Sequence, residues 1–495
     1  MSQVATTKIA WTIAASDSSG GAGIQADLAT FAHFKVHGCS ILTKITAQNT
    51  QGISKSSTVS DDIFIEQLSC LNIDLPADTI KISVLGSEKQ LNYLCDFLSA
   101  YPGFSVYDPV FISSNNSILT QSKLSRQICQ QLLPNITLIT PNIHEAEFLT
   151  KTKITTYQDI LIAGKILLQL GVKNVLIKGG HFNSDFANDL FMNDKQYFWL
   201  VNKKQLFSHN IHGTGCHLSS AIAANIALGF NLVDSIIIAK RYLNSALRVC
   251  NLLLKDTTQY YIPQFSFNFN HTDMPVIVNN HLKIDQLFNY KFLDCDAIGL
   301  YPVVNNSNWV KILAKAGVKS IQLRIKDVSI AEVEQEIIQS IVIANASGIN
   351  LFINDYWELA IKHKAYGVHL GQEDLLTANI AKIKSNNLRL GISTHNHFEL
   401  AVALSYQPSY IALGPIFQTT SKIMPWAPQG INKLKEWRVL LHDKCQLVAI
   451  GGINLSNIND IIVTGINNIA LISGITTASD PYQMSQELLG RLKWL

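Results

Sequence analysis

The chain has 495 residues, and its 39 basic and 36 acidic side chains give a formal net charge of +3. This near balance, without long basic blocks, gives no electrostatic reason to expect a nucleic-acid partner. No uninterrupted apolar run approaches the roughly eighteen residues that a membrane span requires, so no membrane anchor is expected either. With about 150 residues per domain as a guide, the length predicts three average domains or two large ones.

The eight cysteines are scattered along the chain, with no C-x-x-C pair and no repeated spacing. This pattern is typical of reduced thiols in a cytoplasmic protein and not of a disulfide framework or a cysteine-bound metal. The apolar run at residues 9–15 is at the shortest limit for a signal peptide. We therefore expect a cytoplasmic protein that acts on small molecules, and the sequence leaves self-association into a homo-oligomer open.

Up to about Val249, strand-like apolar runs alternate with amphipathic helical stretches. The alternation indicates a layered α/β domain with a mainly parallel sheet, which we place at residues 1–255. From 256 to 293 no hydrophobic period is sustained, and we interpret this segment as a linker.

A glycine-rich turn follows the first predicted strand, where residues 16–27 read Ser-Asp-Ser-Ser-Gly-Gly-Ala-Gly-Ile-Gln-Ala-Asp. Gly21 and Gly23 would let the backbone approach a ligand, and Asp27 places a carboxylate on the first turns of the next helix. A tight strand-to-helix turn without a ligand is the alternative.

Two further segments of the first half suit phosphate chemistry. The sequence His-Gly-Thr-Gly-Cys-His at 212–217 opens a small-residue helix whose first N–H groups suit phosphate oxygens, although an N-cap with close-packed glycines explains it equally well in isolation. In Thr-Pro-Asn-Ile-His-Glu at 140–145, Asn142 and Glu145 can share one side of a first helical turn and hold hydrated Mg²⁺, with a helix cap as the alternative. Lys178, in Lys-Gly-Gly-His, can neutralise phosphate charge.

Together with Thr-Ala-Gln-Asn-Thr-Gln-Gly at 46–52 and Tyr-Asp-Pro-Val at 107–110, these segments resemble the ribokinase-like hydroxymethylpyrimidine phosphate kinases over residues 8–250. The resemblance implies a three-layer αβα fold and the phosphorylation, with Mg-ATP, of 4-amino-5-hydroxymethyl-2-methylpyrimidine and then of its monophosphate. It implies catalytic roles for Cys216 and Lys178. The implied substrate residues are Gly21, Gly23, Asp27 and Gln48, and the implied ATP and phosphate residues are Asn142, Glu145, Gly213, Thr214 and Gly215.

Cys216 stands where relatives that act on sugars carry a catalytic aspartate. A thiolate would be favoured beside Lys178 and a helix N-terminus, and the sequence leaves open whether Cys216 removes a proton or only orients the acceptor. Three residues depart from the family pattern on the substrate side and affect the expectation for turnover more than for fold: Ala15, Ser18 and Ser83.

A second pattern begins at Asp294, with eight apolar strand candidates. They lie at residues 297–303, 320–324, 350–353, 367–370, 389–392, 410–413, 446–450 and 469–472. Eight such units in about two hundred residues fit a (β/α)8 TIM barrel, which we place at residues 294–495. A barrel of this kind keeps its active site at the carboxyl ends of its strands.

Polar residues gather at these strand ends. Gln322, Arg324 and Lys326 alternate along one strand, so they share one side and would suit a diphosphate. A half-exposed strand without a ligand is the alternative, but inside a barrel the polar side would face a normally apolar interior, which favours a ligand. Asp355 and Asp374 follow neighbouring strands and can bind Mg²⁺ that keeps several of its waters.

These motifs resemble thiamine phosphate synthase over residues 295–490, through Gly-Val-His-Leu-Gly-Gln-Glu-Asp at 367–374 and Gly-Pro-Ile-Phe-Gln-Thr-Thr-Ser-Lys at 414–422 among others. The resemblance implies the coupling of the pyrimidine diphosphate to 4-methyl-5-(2-phosphoethyl)thiazole, which yields thiamine phosphate and pyrophosphate. The implied residues are Gln322, Arg324, Lys326, Asn354, Ser393 and Lys422 for the pyrimidine diphosphate, Thr419, Ser421, Gly452, Ile472 and Ser473 for the thiazole phosphate, and Asp355 and Asp374 for Mg²⁺. Tyr356 departs from the arginine of many relatives.

The two resemblances predict a bifunctional enzyme of thiamine biosynthesis, in which the kinase makes the diphosphate that the barrel consumes. A ligand-binding regulator built on degenerate domains is one alternative, although the intact candidate catalytic and magnesium residues argue against it. A pyridoxal kinase is the alternative for the first domain, and a direct comparison of the two acceptors would decide between them.

Overall fold

The structure, a computed structural model, describes residues 7–49, 52–111, 122–180, 185–204, 211–253, 262, 269–279, 291–419, 427–442 and 444–492. The chain divides into two compact units, residues 1–284 and 285–495. Among the described residues, no helix is long and apolar enough to cross a membrane.

The first unit is built on a sheet in which the described residues contribute nine strands, in the order β11-β10-β9-β8-β7-β6-β5-β1-β2. Pairing is parallel from β2 to β8 and antiparallel from β8 to β11. Strands β3 and β4 form a separate antiparallel hairpin. The bounds are Ile9–Ala14 (β1), His37–Leu42 (β2), Lys44–Asn49 (β3), Gly52–Thr58 (β4), Thr79–Ile82 (β5), Phe104–Tyr107 (β6), Leu138–Ile139 (β7), Asn174–Ile177 (β8), Phe186–Asn193 (β9), Tyr197–Lys203 (β10) and Val276–Val278 (β11).

Helices connect these strands and cover the sheet. Their bounds are Gly23–His33 (α1), Asp61–Asp74 (α2), Glu88–Ala100 (α3), Ser122–Gln127 (α4), Ile143–Thr150 (α5), Tyr157–Gln169 (α6), Thr214–Ala227 (α7) and Leu232–Leu253 (α8). Helix α7 packs between α1 and α8 and against β1, β5 and β6. Because it is covered on every side, it is built from small residues such as Ala, Ser and Gly.

The parallel part of the sheet reads as continuous apolar sequence because both of its faces are covered. All four residues of β5 are buried, and so are five of the six residues of β1. This arrangement confirms the predicted αβα layered fold. It also places the carboxyl ends of the parallel strands at one edge, where the loops to the following helices meet.

The antiparallel edge of the sheet differs from the sequence-based division of the chain. Strand β11 lies inside the segment predicted to be a linker, yet Val276–Val278 pairs with Trp199–Val201 of β10. Arg248 of α8 binds Asp273 just before this strand, with Nη2 and Oδ2 2.9 Å apart. A strand of three residues is too short for a recognisable period, so only its tertiary pairing reveals it.

The second unit is a closed barrel of eight parallel strands within the described residues, in sequence order from β12 to β19. The strand bounds are Leu300–Val304 (β12), Ser320–Leu323 (β13), Asn350–Asn354 (β14), Gly367–Leu370 (β15), Arg389–Thr394 (β16), Tyr410–Leu413 (β17), Gln446–Ile450 (β18) and Asn468–Leu471 (β19). The helix bounds are Ser307–Lys315 (α9), Ile330–Ser347 (α10), Trp357–Lys362 (α11), Asp374–Thr377 (α12), Ile380–Ser385 (α13), His397–Ser405 (α14), Gly430–Leu441 (α15), Ile458–Ile462 (α16), Ser473–Thr476 (α17) and Pro481–Leu492 (α18). The predicted TIM barrel is confirmed, with all eight strands close to their expected places.

Three aromatic rings fill the barrel interior and explain two of its strand glycines. Tyr301, Phe352 and Tyr410 are buried, with ring centroids 5.2–5.8 Å apart. A Cβ atom at Gly391 would lie 2.1 Å from the Tyr410 ring, and one at Gly367 would lie 2.5 Å from the Phe352 ring. Glycine is therefore required at both positions because large side chains from neighbouring strands occupy the space.

Candidate active sites

The first unit contains a cavity of about 950 Å³ at the carboxyl ends of its parallel strands. It is lined by most of the residues that the sequence assigns to the kinase site, namely Gly23, Gln48, Asn142, Glu145, Lys178, Gly213, Thr214, Gly215 and Cys216. The fold therefore brings together segments that are separated by more than 160 residues. Gly21 and Asp27 do not line this cavity.

Lys178 lies between two carboxylates at the floor of this cavity. Its Nζ is 2.8 Å from Asp108 Oδ1 and 3.9 Å from Glu145 Oε2. Burial alone would lower the pKa of Lys178, but the charges of Asp108 and Glu145 raise it above its ordinary value. Burial raises the pKa of Glu145 to about 7. The positive charge of Lys178 opposes this rise, and the negative charge of Asp108 reinforces it. The cation is thus held charged and fixed in position by anionic neighbours.

Asn142 and Glu145 form the capping box of α5. Asn142 Oδ1 accepts from the Glu145 backbone N–H at 2.9 Å, and Glu145 Oε2 accepts from the Asn142 backbone N–H at 2.6 Å. The helix-cap alternative from the sequence is therefore correct as a description of local structure. Both side chains nevertheless line the cavity, so the cap also fixes a carboxylate and an amide beside Lys178.

The Cys216 thiol is buried in the first turn of α7 and faces the cavity. Burial raises the pKa of Cys216 to about 11, and the positive charge of Lys81 lowers it only in part. The expectation of a thiolate is therefore wrong for this structure, because desolvation of the thiol outweighs the nearby cation. At neutral pH the side chain is a protonated thiol.

Asp27 is part of a buried structural network and not of the cavity wall. Lys81 Nζ lies 2.8 Å from Asp27 Oδ2, and both side chains are fully buried. Thr12 and Ser220 donate to the same carboxylate, each at 2.6 Å. Four polar groups from β1, α1, β5 and α7 therefore meet under the site. The predicted substrate contact of Asp27 is corrected to a support role, since the paired and saturated carboxylate has no access to a ligand.

His217 follows Cys216 and is buried on the other side of α7. Its Nδ1 is 2.8 Å from the hydroxyl of Thr30, and burial, followed by the charges of Lys81 and His33, lowers its pKa to about 4. The unfolded chain binds this proton near pH 6.5, so the folded unit loses stability as the pH falls from about 6.5 to 4, by up to about 3 kcal/mol. We expect His217→Gln, which cannot take up the proton, to show a smaller fall in the thermal midpoint of the first unit between pH 7.5 and pH 5. An equal fall in both proteins would contradict the assignment.

Only glycine fits at position 213, where the start of α7 packs closely against the backbone of Gly21. Gly213 has a φ of +80°, and a Cβ atom would lie 1.9 Å from the carbonyl oxygen of Gly21. Gly21 thus contributes to the site through its backbone, although it does not line the cavity. We expect Gly213→Ala to destabilise the first unit by about 3 kcal/mol or more, because the methyl group meets rigid backbone in addition to the cost of the left-handed conformation.

Gly229 provides the matched control, since it also has a positive φ of +91° but nothing within 4 Å of the place that a Cβ atom would take. Gly229→Ala should cost only about 1–2 kcal/mol, the conformational term alone. Thermal unfolding of both variants measures the difference. Equal losses of stability would show that the contact with Gly21 is unimportant.

Gln48 is held at the cavity by a β-bulge in the β3–β4 hairpin. The Ser18 hydroxyl accepts from the Gln48 backbone N–H at 2.8 Å and donates to its carbonyl oxygen at 2.7 Å. A proline at position 18, as in the family pattern, has no hydroxyl and could do neither. Ala15 and Ser83, the other two departures, both line the cavity, whereas Ser18 reaches the predicted substrate side only through its hydrogen bonds to Gln48.

In the barrel unit, a cation and two carboxylates meet at the carboxyl ends of neighbouring strands. Lys326 Nζ lies 2.5 Å from Asp355 Oδ2. Burial, and then the neighbouring charge of Asp355, raise the pKa of Asp374 above its ordinary value. Two adjacent carboxylates of this kind repel each other until a cation or proton lies between them. Asp374 Oδ2 also accepts from the backbone N–H of Gly371 at 3.1 Å, which fixes its position.

Gln322 and Ser393 face the barrel interior and are both hydrogen-bonded there. Gln322 Nε2 donates to the Tyr301 hydroxyl at 3.4 Å, and Ser393 Oγ lies 2.7 Å from His369 Nε2. Burial lowers the pKa of His369 to about 4. The expectation that the polar side of β13 faces inward therefore agrees with the position of Gln322, which is 4% exposed. Asn354 ends β14 beside Asp355 and is also buried.

The predicted thiazole-phosphate residues lie on the loops after the last three strands. Gly452 has a φ of +67°, and a Cβ there would lie 2.4 Å from the carbonyl oxygen of Gln418, so the loops after β17 and β18 touch. Ile472 and Ser473 lie at the start of α17. Thr419 lies at the end of the loop segment that the structure describes, whereas Ser421 and Lys422 lie outside the described residues.

Sequence reasoning missed several residues that line these sites or support them from the interior. Asp108 lies in the Tyr-Asp-Pro-Val motif at 107–110 and is assigned no role there, although its position directly after β6 is a signal for a site residue. Asp17, which lines the cavity, accepts from the backbone of Ala22 at 2.8 Å and shapes the glycine-rich turn. His369 belongs to the Gly-Val-His-Leu-Gly-Gln-Glu-Asp motif at 367–374 but has no role in the sequence-based prediction. Tyr301 and Tyr410 give no sequence signal, since their contacts depend on the closed barrel.

Comparison with known proteins assigns each unit to a family. The family described as phosphomethylpyrimidine kinase matches residues 17–259, and the family described as thiamine monophosphate synthase matches residues 300–475. The probable thiamine biosynthetic bifunctional enzyme of Oryza sativa subsp. japonica, a chloroplastic protein, is 31% identical over 95% of this chain and 85% of its own length. The chain belongs to the bifunctional thiamine biosynthetic enzymes.

Membership of the bifunctional thiamine biosynthetic enzymes confirms the prediction of two enzymes in one chain. The second unit resembles the thiamine-phosphate synthase of Proteus mirabilis, with 54% identity over 39% of this chain and 89% of that protein. For the first unit, the pyridoxal kinase of Staphylococcus aureus, solved with AMP-PCP and pyridoxal, is 31% identical over 49% of this chain and 88% of that chain, with a TM-score of 0.45. The chain has a phosphomethylpyrimidine kinase unit followed by a thiamine-phosphate synthase unit.

Proposed function

We propose that the kinase unit phosphorylates 4-amino-5-hydroxymethyl-2-methylpyrimidine and then its monophosphate with Mg-ATP, and that the barrel joins the diphosphate to the thiazole phosphate. The observation that carries the kinase half is the convergence of Lys178, Cys216 and the first turn of α7 in one cavity. Phosphoryl transfer depends mainly on positioning and charge stabilisation, and these groups supply both.

In the kinase half, cationic and dipolar groups face the transferring phosphate. The N–H groups of Thr214 and Gly215 lie at the start of α7, where the helix dipole favours negative charge. Lys178 adds a full positive charge close to this turn. A Cβ atom at Gly215 would lie only 3.0 Å from Lys178 Nζ. The carboxylate of Glu145 and the amide of Asn142 fit hydrated Mg²⁺, which needs only one or two protein ligands.

Cys216 is assigned the role of orienting the acceptor hydroxyl. A thiol with a pKa of about 11 is protonated at neutral pH and is a poor general base. A loose transition state for phosphoryl transfer places little demand on proton removal. The protonated thiol can instead contact the acceptor at the N-terminus of α7, within the cavity.

In the synthase half, Asp355 and Asp374 would hold Mg²⁺, which supplies charge stabilisation for the leaving pyrophosphate. Their close approach and the raised pKa of Asp374 fit a site that needs a cation. Lys326 and Arg324 bind the diphosphate from the end of β13, and Asn354 and Lys422 complete its contacts. The thiazole nitrogen then needs positioning but no general base, because the aminopyrimidine can delocalise charge at its methylene group. Thr419, Ser421, Gly452, Ile472 and Ser473 hold the thiazole phosphate.

The cytoplasm is proposed as the location, with small molecules as the partners. All eight cysteines lie in the described part of the chain, and each is a free thiol there, as is usual in a reducing compartment. A homo-oligomer is compatible with this proposal.

The test supplies the purified full chain with the hydroxymethylpyrimidine, Mg-ATP and the thiazole phosphate and measures thiamine phosphate. We expect product that requires all three substrates and disappears with EDTA, which removes Mg²⁺. Pyridoxal replaces the pyrimidine in a parallel reaction as the comparison acceptor. Absence of thiamine phosphate with verified substrates, or a preference of the kinase for pyridoxal, would refute the proposed function.

A further inference from the structure

A chain of hydrogen bonds crosses the interior of the barrel and ends at Ser393. The hydroxyls of Tyr301 and Tyr410 are 2.7 Å apart, and the Tyr410 hydroxyl is 2.7 Å from His369 Nδ1. His369 Nε2 is in turn 2.7 Å from Ser393 Oγ. At the far end, Gln322 Nε2 donates to the Tyr301 hydroxyl at 3.4 Å. The chain therefore connects Gln322 and Ser393, two residues that the resemblance to thiamine phosphate synthase assigns to the pyrimidine diphosphate.

The direction of these hydrogen bonds depends on which nitrogen of His369 carries the proton. Each hydroxyl has one proton, and a neutral imidazole has one N–H. If the proton is on Nε2, then Nδ1 accepts from Tyr410 and the Tyr410 oxygen accepts from Tyr301. The Tyr301 oxygen accepts from Gln322, so every buried donor has an acceptor. Ser393 Oγ then accepts from the imidazole and keeps its own proton free.

The opposite tautomer leaves a buried donor unsatisfied. With the proton on Nδ1, the imidazole donates to the Tyr410 oxygen, and the single bond between the two tyrosines uses only one of their two protons. The other hydroxyl belongs to a side chain that is at most 1% exposed. Within the contacts of the described residues, it meets no further acceptor. A buried hydroxyl without an acceptor loses its hydration without compensation.

We propose that this chain holds His369 as the Nε2–H tautomer, so that Ser393 turns its hydroxyl proton toward the substrate. His369 is then a positioning residue, and the substrate group that faces Ser393 is a hydrogen-bond acceptor. The backbone of Ser393 is held as well, because Gln372 Nε2 donates to its carbonyl oxygen at 2.7 Å. The inference rests on the proposed function only for the identity of the substrate.

Nitrogen NMR of the full chain, labelled with ¹⁵N at histidine and free of substrate, tests the tautomer directly. The His369 signals are those that disappear in His369→Gln and shift in Tyr410→Phe. We expect Nδ1 to resonate as an unprotonated nitrogen and Nε2 as a protonated one. Detection of an Nδ1–H tautomer would overturn the proposal; the hydrogen bonds could accommodate it only if the side-chain amide of Gln322 were reversed. Detection of an imidazolium at neutral pH would overturn it as well.

Two variants separate positioning from general packing. Tyr410→Phe removes the donor to Nδ1, whereas Tyr301→Phe removes one hydroxyl from the same aromatic cluster and leaves that donor in place. We expect Tyr410→Phe to change the His369 signals and to lower kcat/KM for coupling about ten-fold, with Tyr301→Phe within about three-fold of the unmodified chain.

Indistinguishable effects of the two substitutions on both the His369 signals and kcat/KM would overturn the proposal. The NMR measurement needs neither substrate nor turnover. A failure of the proposed coupling reaction is therefore distinguishable from a failure of this inference.

Discussion

Asp374→Asn is expected to stop the coupling reaction while the pyrimidine diphosphate accumulates. The substitution removes one of the two carboxylates that meet at the ends of β14 and β15, but it retains an oxygen that can accept from Gly371. Loss of the charge that holds Mg²⁺ should lower thiamine phosphate formation by about 100-fold or more. Kinase turnover should stay within about two-fold, since phosphoryl transfer uses the separate cavity of the first unit. Chromatographic measurement of both products in one reaction checks the two halves together.

Glu373→Gln is the matched control for this variant. Glu373 is the neighbouring residue and is exposed, so the substitution changes the net charge by the same amount at almost the same place. It should leave coupling nearly unchanged. A similar loss in both variants would show that coupling responds to general charge and not to a carboxylate pair with Asp355.

Lys178→Met is expected to remove the kinase activity and to leave coupling of supplied pyrimidine diphosphate intact. Lys178 lies beside the start of α7, where a Cβ atom at Gly215 would be 3.0 Å from its Nζ. The loss of one such stabilising group costs phosphoryl transfer about 100- to 1000-fold. The barrel contains its own cations, so its kcat/KM for the supplied diphosphate should not change. Separate assays of ATP consumption and of thiamine phosphate formation measure the two effects.

The removal of Lys178 also leaves the fully buried Asp108 without its partner, which would destabilise the first unit. The double variant Asp108→Asn/Lys178→Met removes this uncompensated charge and should regain stability without regaining kinase activity. Lys173→Met is the control, because Lys173 is exposed and precedes the amino end of β8, whereas Lys178 follows its carboxyl end. Recovery of kinase activity in the double variant would mean that Lys178 only stabilises the fold.

The barrel could be predicted closely from sequence because each strand is a short apolar run, and seven of the eight are followed directly by a polar residue or a glycine. Asp355 and Asp374 follow such runs, so the topology alone brings them together. The same reasoning located Lys178 after β8 and the start of α7. Once the strand order is assumed, the local sequence therefore predicts where these groups lie.

The features that the sequence did not predict have a different physical origin. They depend on side-chain packing between segments that are distant in the sequence. Asp27 was assigned to substrate from its place in a glycine-rich turn, but it is paired with Lys81, 54 positions away. The pKa of the Cys216 thiol is set by burial among α1, β5 and α7, which no local motif encodes. The hydrogen bonds of His369 likewise exist only after the barrel closes and Tyr410 fills its interior.

Mixing the two defective proteins tests most directly the claim that two separate sites act in sequence on a shared diphosphate. Asp374→Asn and Lys178→Met should each make almost no thiamine phosphate from the hydroxymethylpyrimidine, Mg-ATP and the thiazole phosphate. An equal mixture should make it after a lag, because diphosphate released by the first variant reaches the intact barrel of the second. A mixture that makes no more product than the separate variants, while each variant keeps its remaining half-reaction, would contradict the account.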